Sequence, residues 1–271
     1  MNILISTDIE GVAGVTHREQ VRAGNGEYER ARLLMTEEAN AAIAGAFEAG
    51  ASTVFVNDSH GDFRNMIADR LDPRARLIQG KPRPFGMMAG IDLGIDRVFL
   101  IGYHSRAHGR GILAHTVNSF AFARIEVNGL EVGEAGLYGA LAGEFGVPVC
   151  LASGDDVFAA ENRELLPETI FVETKQASGN SSGVSLSPEA SRAAIRAGAA
   201  KAGAMDRPKP LRFEGPLQIR IRAQTPGLAD LFCQWPTLER EEESTFSYPA
   251  DSMVTAVRII NCLSAMSHIM R

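Results

Sequence analysis

The sequence predicts an α/β fold: a mostly parallel sheet with helices on both faces, followed by a smaller C-terminal α+β unit. Two observations predict this class. Short apolar runs of strand length alternate with helical patterns through the first two thirds of the chain, which is typical of a parallel sheet covered on both sides. The chain also has 271 residues, 45% of them hydrophobic and 22% charged, so it can bury a large core and is neither disordered nor fibrous.

Each element of the first two thirds has its own signal. Compact apolar or β-branched runs predict six strands, at Asn2–Thr7, Ser52–Asn57, Arg74–Gln79, Arg97–Tyr103, Val147–Ala152 and Thr169–Thr174. Helical composition predicts three helices, at Glu27–Ala49, Glu134–Phe145 and Asp155–Leu166. Gly50 and Gly146 follow two of these helices and are plausible C-caps. The pair Asn128-Gly129, between two apolar runs in Phe120–Val132, predicts a hairpin.

The composition changes at Ser178–Ser187, where Gly and Ser dominate, and we interpret this stretch as a loop or boundary. We therefore predict a metal-binding catalytic domain at residues 1–180 and a smaller α+β domain at residues 181–271. The elements expected in the second unit are a helix at Pro188–Ala204, a strand at Leu217–Ala223 and a closing helix at Asp251–Met270.

Charge and cysteine content exclude several classes of protein. The 27 basic and 33 acidic residues give a net charge of −6, which argues against a nucleic-acid partner. The three cysteines are widely spaced and form no CxxC pair, so neither a disulfide framework nor a thiolate zinc site is indicated. The N-terminus lacks the pattern of a signal peptide, and we recognise no apolar run near the roughly 18 residues of a membrane helix. We expect a cytoplasmic protein with no membrane partner.

A carboxylate pair follows the first predicted strand. Asp8 and Glu10 are two residues apart, so on an extended backbone their side chains point to the same face. Like charges this close repel unless a cation lies between them. The pair also lies beyond the carboxyl end of a strand, where open α/β sheets bind ligands. A solvated acidic turn is the simpler reading of any such pair taken alone.

Two histidines follow the next strands in the same way. His60 comes after the second strand, and His104 comes after the run Arg97–Tyr103. A single histidine after a strand is usually a surface or capping residue, but three strand ends with Asp, Glu or His at one sheet edge indicate a site. Carboxylates and imidazoles without thiolates suit Zn²⁺, Mn²⁺ or Co²⁺ in a catalytic centre.

Two further residues are candidates for the same site. His115 follows a Gly-rich stretch and could be a metal ligand, a general base or a group that stabilises a tetrahedral intermediate; a plain loop histidine is equally consistent with its position. Glu134 opens a predicted helix, where a glutamate normally just complements the helix dipole, although its small neighbours would let it approach a metal. His17, His108 and His268 have no such context, and we treat them as background.

One short motif points to different chemistry. Gly179–Gly183 matches G-x-S-x-G, the nucleophile elbow, with Ser181 as the serine. The elbow requires a strand, a sharp turn and a helix, whereas this copy lies in the predicted Ser/Gly loop. We therefore regard a serine hydrolase as a poor alternative.

Several segments are recognisable as a set when they are taken in order. They are Ser6–Gly11, Tyr28–Arg32, Met35–Asn40, Val56–His60, Gly102–His104 and Gly133-Glu134. Together they resemble the zinc-dependent D-aminopeptidase family associated with dipeptide transport operons. The resemblance covers residues 1–160 strongly and continues more weakly through Lys175-Gln176 into the tail.

The resemblance implies a two-zinc aminopeptidase that acts on short peptides, including peptides with D-residues. It implies Asp8 as the bridging carboxylate, with two zinc sites completed by Glu10, His60, His104 and Glu134. His115 matches the position of the family's proposed catalytic histidine. The family also forms ring-shaped homo-oligomers around an internal chamber, and a decamer is one expected size.

Two other functions remain open from the sequence. One is a metal-dependent hydrolase of another amide or ester on the same scaffold. The other is a non-catalytic small-molecule binding module that uses the strand-end carboxylates without a metal.

Overall fold

The computed structural model describes residues 1–271 and confirms the α/β class. A seven-stranded sheet has the order β3-β2-β1-β4-β7-β8-β9, and all its pairings are parallel except β8–β9. Its strands are β1 (Asn2–Thr7), β2 (Thr53–Asp58), β3 (Arg76–Ile78), β4 (Arg97–Ile101), β7 (Val149–Asp155), β8 (Ile170–Gly179) and β9 (Ser182–Ser185).

A second sheet of five strands is antiparallel and has the order β11-β12-β10-β5-β6. Its strands are β5 (Phe122–Val127), β6 (Leu130–Glu131), β10 (Leu217–Ala223), β11 (Glu239–Arg240) and β12 (Thr245–Ala250). The predicted Asn128-Gly129 turn joins β5 to β6, and both residues have positive φ, as that hairpin turn requires.

Six α-helices surround the two sheets. They are α1 (Gly26–Glu48), α2 (Glu134–Glu144), α3 (Asp156–Asn162), α4 (Pro188–Ala204), α5 (Pro226–Phe232) and α6 (Met253–Met266). The longer helices and most predicted strands lie within a few residues of their predicted bounds. Helix α5 and strands β11 and β12 have no counterpart among the predicted elements.

The parallel sheet separates two hydrophobic cores. Strand β1 is central and buried on both faces, which explains its unbroken apolar run. Ile3 and Ile5 face a core shared with α1 and α4, whereas Leu4 faces a core shared with α2, α6 and the antiparallel sheet. Burial on both sides fixes the sheet, and therefore fixes the strand ends that follow it.

The prediction of a loop at the Gly/Ser stretch Ser178–Ser187 is wrong in part, because most of this stretch forms a hairpin. Strand β8 runs on to Gly179, and Ser182–Ser185 returns as the antiparallel edge strand β9. Backbone hydrogen bonds hold this pair, so its formation does not require apolar side chains. Strand β9 and helix α4 thus adjoin the parallel sheet, and the β5–β6 hairpin joins the antiparallel one. The division into a catalytic domain at residues 1–180 and a smaller domain at residues 181–271 stays a prediction.

The closing helical segment, Met253–Met270, meets the length and composition of a membrane span, with a mean hydropathy of 1.3, contrary to our expectation. Core helices of soluble proteins also meet this criterion. Here Val257, Ile260 and Leu263 are buried in the core shared with α2. Three of its apolar side chains therefore pack inside the fold, and 33% of the segment is buried.

Helix α2 is packed so closely that one of its glycines touches backbone. A Cβ on Gly143 would lie 1.7 Å from the carbonyl oxygen of Leu211, whereas a Cβ on Gly139 would lie 3.5 Å from its nearest neighbour, Val149.

We predict opposite effects for two alanine substitutions in α2. Gly143→Ala should lower the free energy of unfolding by roughly 1–3 kcal/mol, because the Leu211 backbone must move. Gly139→Ala should be neutral or stabilise by up to about 1 kcal/mol, because alanine favours the helix. Urea denaturation of both variants measures the difference. Equal stability of the two would contradict the close packing of Gly143.

Candidate metal centre

Three adjacent strands deliver the predicted site residues to one sheet edge. Asp8, His60 and His104 follow β1, β2 and β4, which are neighbours in the order β2-β1-β4. Glu134 reaches the same place as the first residue of α2, and His115 comes from the loop after β4. With Glu10, the structure therefore brings all six predicted residues together.

The carboxylate of Asp8 lies at the centre of the site and turns one oxygen to each side. On one side, Asp8 Oδ1 lies 3.2 Å and Glu10 Oε2 3.1 Å from Nδ1 of His60. On the other side, Asp8 Oδ2 lies 3.3 Å and Glu134 Oε1 3.5 Å from Nε2 of His104. All but His60 are at most 3% exposed as residues. The site therefore has a His60 half and a His104 half that share Asp8, and Glu10 also offers a ligand atom within 4.8 Å of those of Asp8 and His104.

Backbone carbonyls orient the two histidines. His60 Nε2 lies 2.8 Å from the carbonyl oxygen of Val21, and His104 Nδ1 lies 3.0 Å from that of Ser105. We assign a proton to each of these nitrogens because a carbonyl oxygen can only accept. In the neutral tautomer, the other nitrogen of each ring then turns a lone pair toward the carboxylates. This arrangement is typical of histidines that bind a metal.

The ring of His115 lies against that of His104. The two rings are stacked, with centroids 4.1 Å apart and planes 11° from parallel. His115 Nδ1 lies 3.0 Å from the carbonyl oxygen of Leu113, and its Nε2 lies 3.8 Å from Glu134 Oε1. His104, His115 and Glu134 each offer a ligand atom within 4.8 Å of the others, so the geometry suits either a ligand or a catalytic group.

Burial and the carboxylates act in opposite directions on these ionisable groups. Burial alone would lower the pKa of His60 and His104, but Glu10, Glu134 and Asp8 outweigh it and hold the pKa of both imidazoles well above the usual value. Burial would raise the pKa of Asp8, yet hydrogen bonds from the two histidines hold it well below its usual value. Without a metal, protons therefore compensate the carboxylates.

The donor set fits zinc. Glu10 Oε2 and His104 Nε2 are fully buried and have no hydrogen-bond partner. The separations of 3.1–3.5 Å between nitrogen and oxygen also match the distance of about 3.4 Å between two ligands of a tetrahedral zinc ion. Imidazole and carboxylate ligands without thiolate are typical of catalytic rather than structural zinc.

The remaining candidates lie elsewhere. His17 is exposed and caps a short 3-10 helix by accepting a hydrogen bond from the backbone of Glu19, while His108 and His268 are exposed. Ser181 is exposed in the turn between β8 and β9, and no helix follows it there, so the nucleophile-elbow alternative is wrong. The sequence analysis missed the carbonyl of Val21 and the buried amine of Lys175, which both support the site.

The fold and the donor set are typical of a metal-dependent hydrolase. Comparisons with known proteins show the family to which the chain belongs. Residues 1–262 match the family model described as D-aminopeptidase. The chain is 40% identical over 188 residues to the D-aminopeptidase of Bacillus subtilis (strain 168). The aligned region covers 69% of this chain and 68% of that protein.

A solved structure agrees with these matches over almost the whole chain. It is the Zn-dependent D-aminopeptidase DppA from Bacillus subtilis, described as a self-compartmentalizing protease. It matches with a TM-score of 0.95 and 33% identity, and covers 99% of this chain and 98% of that chain. The protein belongs to the D-aminopeptidase family of zinc-dependent metallopeptidases, which confirms the resemblance and argues against a non-catalytic binding module.

We predict that zinc binding at pH 7 releases about two protons per chain, because His60 and His104 are protonated without metal and must be neutral as ligands. Zinc affinity should consequently fall as the pH is lowered, since protons then compete more strongly for both imidazoles. Calorimetric titration in two buffers of different ionisation enthalpy measures the release. Zinc binding without proton release would contradict this assignment.

Proposed function

We propose that this protein is a binuclear zinc aminopeptidase that removes the N-terminal residue of short peptides, with a preference for a D-residue. The observation that carries the proposal is the position of Asp8, which turns one oxygen toward His60 and the other toward His104. A carboxylate placed in this way can serve two metal ions at once. The D-preference rests on family membership.

The residues divide naturally between the two zinc ions. Asp8, Glu10 and His60 would hold one ion, and Asp8, His104 and Glu134 would hold the other. When bound, the two ions supply charge that offsets the three carboxylates, a binding position for a free amino terminus, and Lewis-acid activation of the scissile carbonyl and a water molecule. The buried ligands and their backbone partners keep this geometry fixed.

His115 is the residue best placed to move a proton. Its Nδ1–H donates to the carbonyl of Leu113, which leaves Nε2 free to accept a proton on the side of Glu134. Its side chain is 20% exposed, so water and substrate can reach it, unlike the buried His104. We assign it the role of proton shuttle; stabilisation of the oxyanion and direct nucleophilic attack are the alternatives.

A homo-oligomer is also part of the proposal. The structural relative is described as self-compartmentalizing, and it matches nearly the entire chain at 33% identity. We infer that this chain assembles into a ring whose subunits enclose the active sites. Sedimentation velocity measures the subunit number, and a monomer at micromolar concentration would contradict the assembly.

Activity of the metal-stripped protein on a substrate panel tests the function. We expect added zinc to restore hydrolysis of D-aminoacyl amides and dipeptides. The L-forms should be hydrolysed more slowly. The enzyme should reach full activity at two zinc ions per chain. N-acetylated copies of the same compounds are the matched control and should resist hydrolysis. No hydrolysis of any compound with a free amino terminus, with zinc bound, would overturn the proposal.

We predict that Asp8→Asn loses zinc from both halves of the site together with activity, because one side chain serves both ions. Metal analysis after gel filtration measures the zinc. The control is Asp69→Asn, which changes an exposed carboxylate and should leave zinc and activity unchanged. If Asp8→Asn kept one zinc ion tightly, Asp8 would not be shared.

We predict that His115→Ala keeps both zinc ions but lowers kcat by about 10²–10⁴-fold, the usual contribution of a general acid–base group. The control His108→Ala removes an exposed histidine from the same loop and should have wild-type kinetics. Loss of zinc from His115→Ala would show that His115 is a ligand and that its assigned role is wrong.

A further inference from the structure

Lys175 is a buried lysine next to the metal centre. The chain has four lysines, and Lys175, at 2% exposed, is the only one that is buried. It lies on β8, and its Nζ donates hydrogen bonds to two backbone carbonyl oxygens, that of Glu10 at 2.5 Å and that of Val15 at 2.7 Å. A single ammonium thus joins both ends of the segment Glu10–Val15, which we call the carboxylate loop.

Other contacts hold the carboxylate loop between its ends. The hydroxyl of Thr174, the neighbour of Lys175, donates to the carbonyl of Gly11 at 2.6 Å. The backbone N–H of Ala13 donates to the buried carboxylate of Glu38 at 3.0 Å. These contacts fix the middle of the loop. The peptide unit between Glu10 and Gly11 is held on both sides: Lys175 donates to its carbonyl oxygen, and its N–H donates to the carbonyl of Gly102 at 2.7 Å.

Glu10 differs from the other two carboxylates in what orients it. Asp8 Oδ1 accepts a hydrogen bond from the N–H of Ile9, and Glu134 Oε1 accepts one from the N–H of Val117. The side chain of Glu10 accepts no hydrogen bond from a backbone N–H, and its only close polar contact is with Nδ1 of His60 at 3.1 Å. The direction of Glu10 therefore depends on its backbone, and the backbone carbonyl is held by Lys175.

Burial of a lysine at position 175 costs free energy, so the filling of volume alone does not explain why a lysine is present there. Burial of an ammonium is unfavourable unless acceptors and opposite charges compensate it. Here two carbonyls accept its hydrogen bonds, and the carboxylates of Asp155, Glu38 and Glu10 lie close enough to stabilise its charge. A methionine would fill a similar volume but would leave both carbonyls without this donor.

We propose that Lys175 is a positioning residue that holds Glu10 in place for zinc in the His60 half of the site. The inference rests on the proposed two-zinc function. The hydrogen bonds of Lys175 go to backbone carbonyls and not to a carboxylate or imidazole of the site, so it acts through the backbone of Glu10. Loss of Lys175 should therefore affect the two halves of the site unequally.

Stepwise zinc affinity of the metal-free protein tests the proposal. A competing fluorescent chelator measures both dissociation constants, and His60→Ala identifies the one that belongs to the Glu10 half. We expect Lys175→Met to raise that Kd by about 10–100-fold, the usual effect of losing a partner that orients a metal ligand. The Kd of the His104 half should stay within about threefold of wild type, because the partners of Asp8, His104 and Glu134 there are unchanged.

Three further variants separate positioning from general stability. Lys201→Met removes an exposed lysine and should leave both Kd values unchanged. Tyr248→Phe removes a buried hydroxyl that donates to the carbonyl of Ala256 in the core shared with α2, α6 and the antiparallel sheet. It should lower stability without changing zinc affinity. Lys175→Arg keeps a charged donor and should bind zinc more tightly than Lys175→Met in the Glu10 half. If Lys175→Met does not fold, Lys175→Gln replaces it in this comparison.

The outcomes are distinct. Unchanged affinity in the Glu10 half of Lys175→Met would overturn the proposal, and so would an equal loss in both halves. Failure of Lys175→Arg to exceed Lys175→Met would also count against it, because the donor would then not be the cause. If Asp8→Asn still binds two zinc ions, the proposed function fails instead, whatever the result at Lys175.

Discussion

The repulsion between carboxylates and imidazole lone pairs is the constraint on which the rest of the site depends. Backbone carbonyls orient His60 and His104 so that each neutral ring turns a lone pair toward Asp8, at 3.2 and 3.3 Å. Such a cluster is stable only with positive charge inside it. Protons supply this charge in the metal-free protein, and zinc is the ion that the donor set and the family both indicate.

The fold maintains this unfavourable cluster because parallel strands end at the same edge of the sheet. Strands β2, β1 and β4 are adjacent, and burial on both faces prevents them from shifting to separate the ligands. Gly11 is part of the same constraint: a Cβ there would lie 1.9 Å from the carbonyl oxygen of Tyr103. Only glycine therefore lets the carboxylate loop pass so close to Tyr103, the residue before the candidate ligand His104.

The ligands could be predicted from sequence, whereas the groups that orient them could not. Asp8, His60 and His104 each follow an apolar run directly, so their position at the sheet edge is a local property of the sequence. The partners of these residues are not local, since Lys175 is 165 residues from Glu10 and Val21 is 39 residues from His60. A lysine directly after the predicted strand Thr169–Thr174, in a chain with four lysines, was the available signal for Lys175.

The same difference between local and long-range determinants applies to the fold. Helices and buried strands depend on side-chain patterns that can be recognised in one segment, and most of these were predicted close to their bounds, with α5 and β12 as exceptions. The β8–β9 hairpin depends on backbone pairing between Gly- and Ser-rich segments, so composition pointed to a loop. The antiparallel sheet unites β5 with β10, about ninety residues apart, a pairing that only the tertiary fold determines.

The central claim is that Asp8 serves two zinc ions at once. Anomalous diffraction at the zinc edge from crystals of the zinc-loaded protein tests it most directly. Two peaks per chain are expected, one beside His60 and one beside His104, with Asp8 between them. A single peak, or two peaks of which only one contacts Asp8, would contradict it.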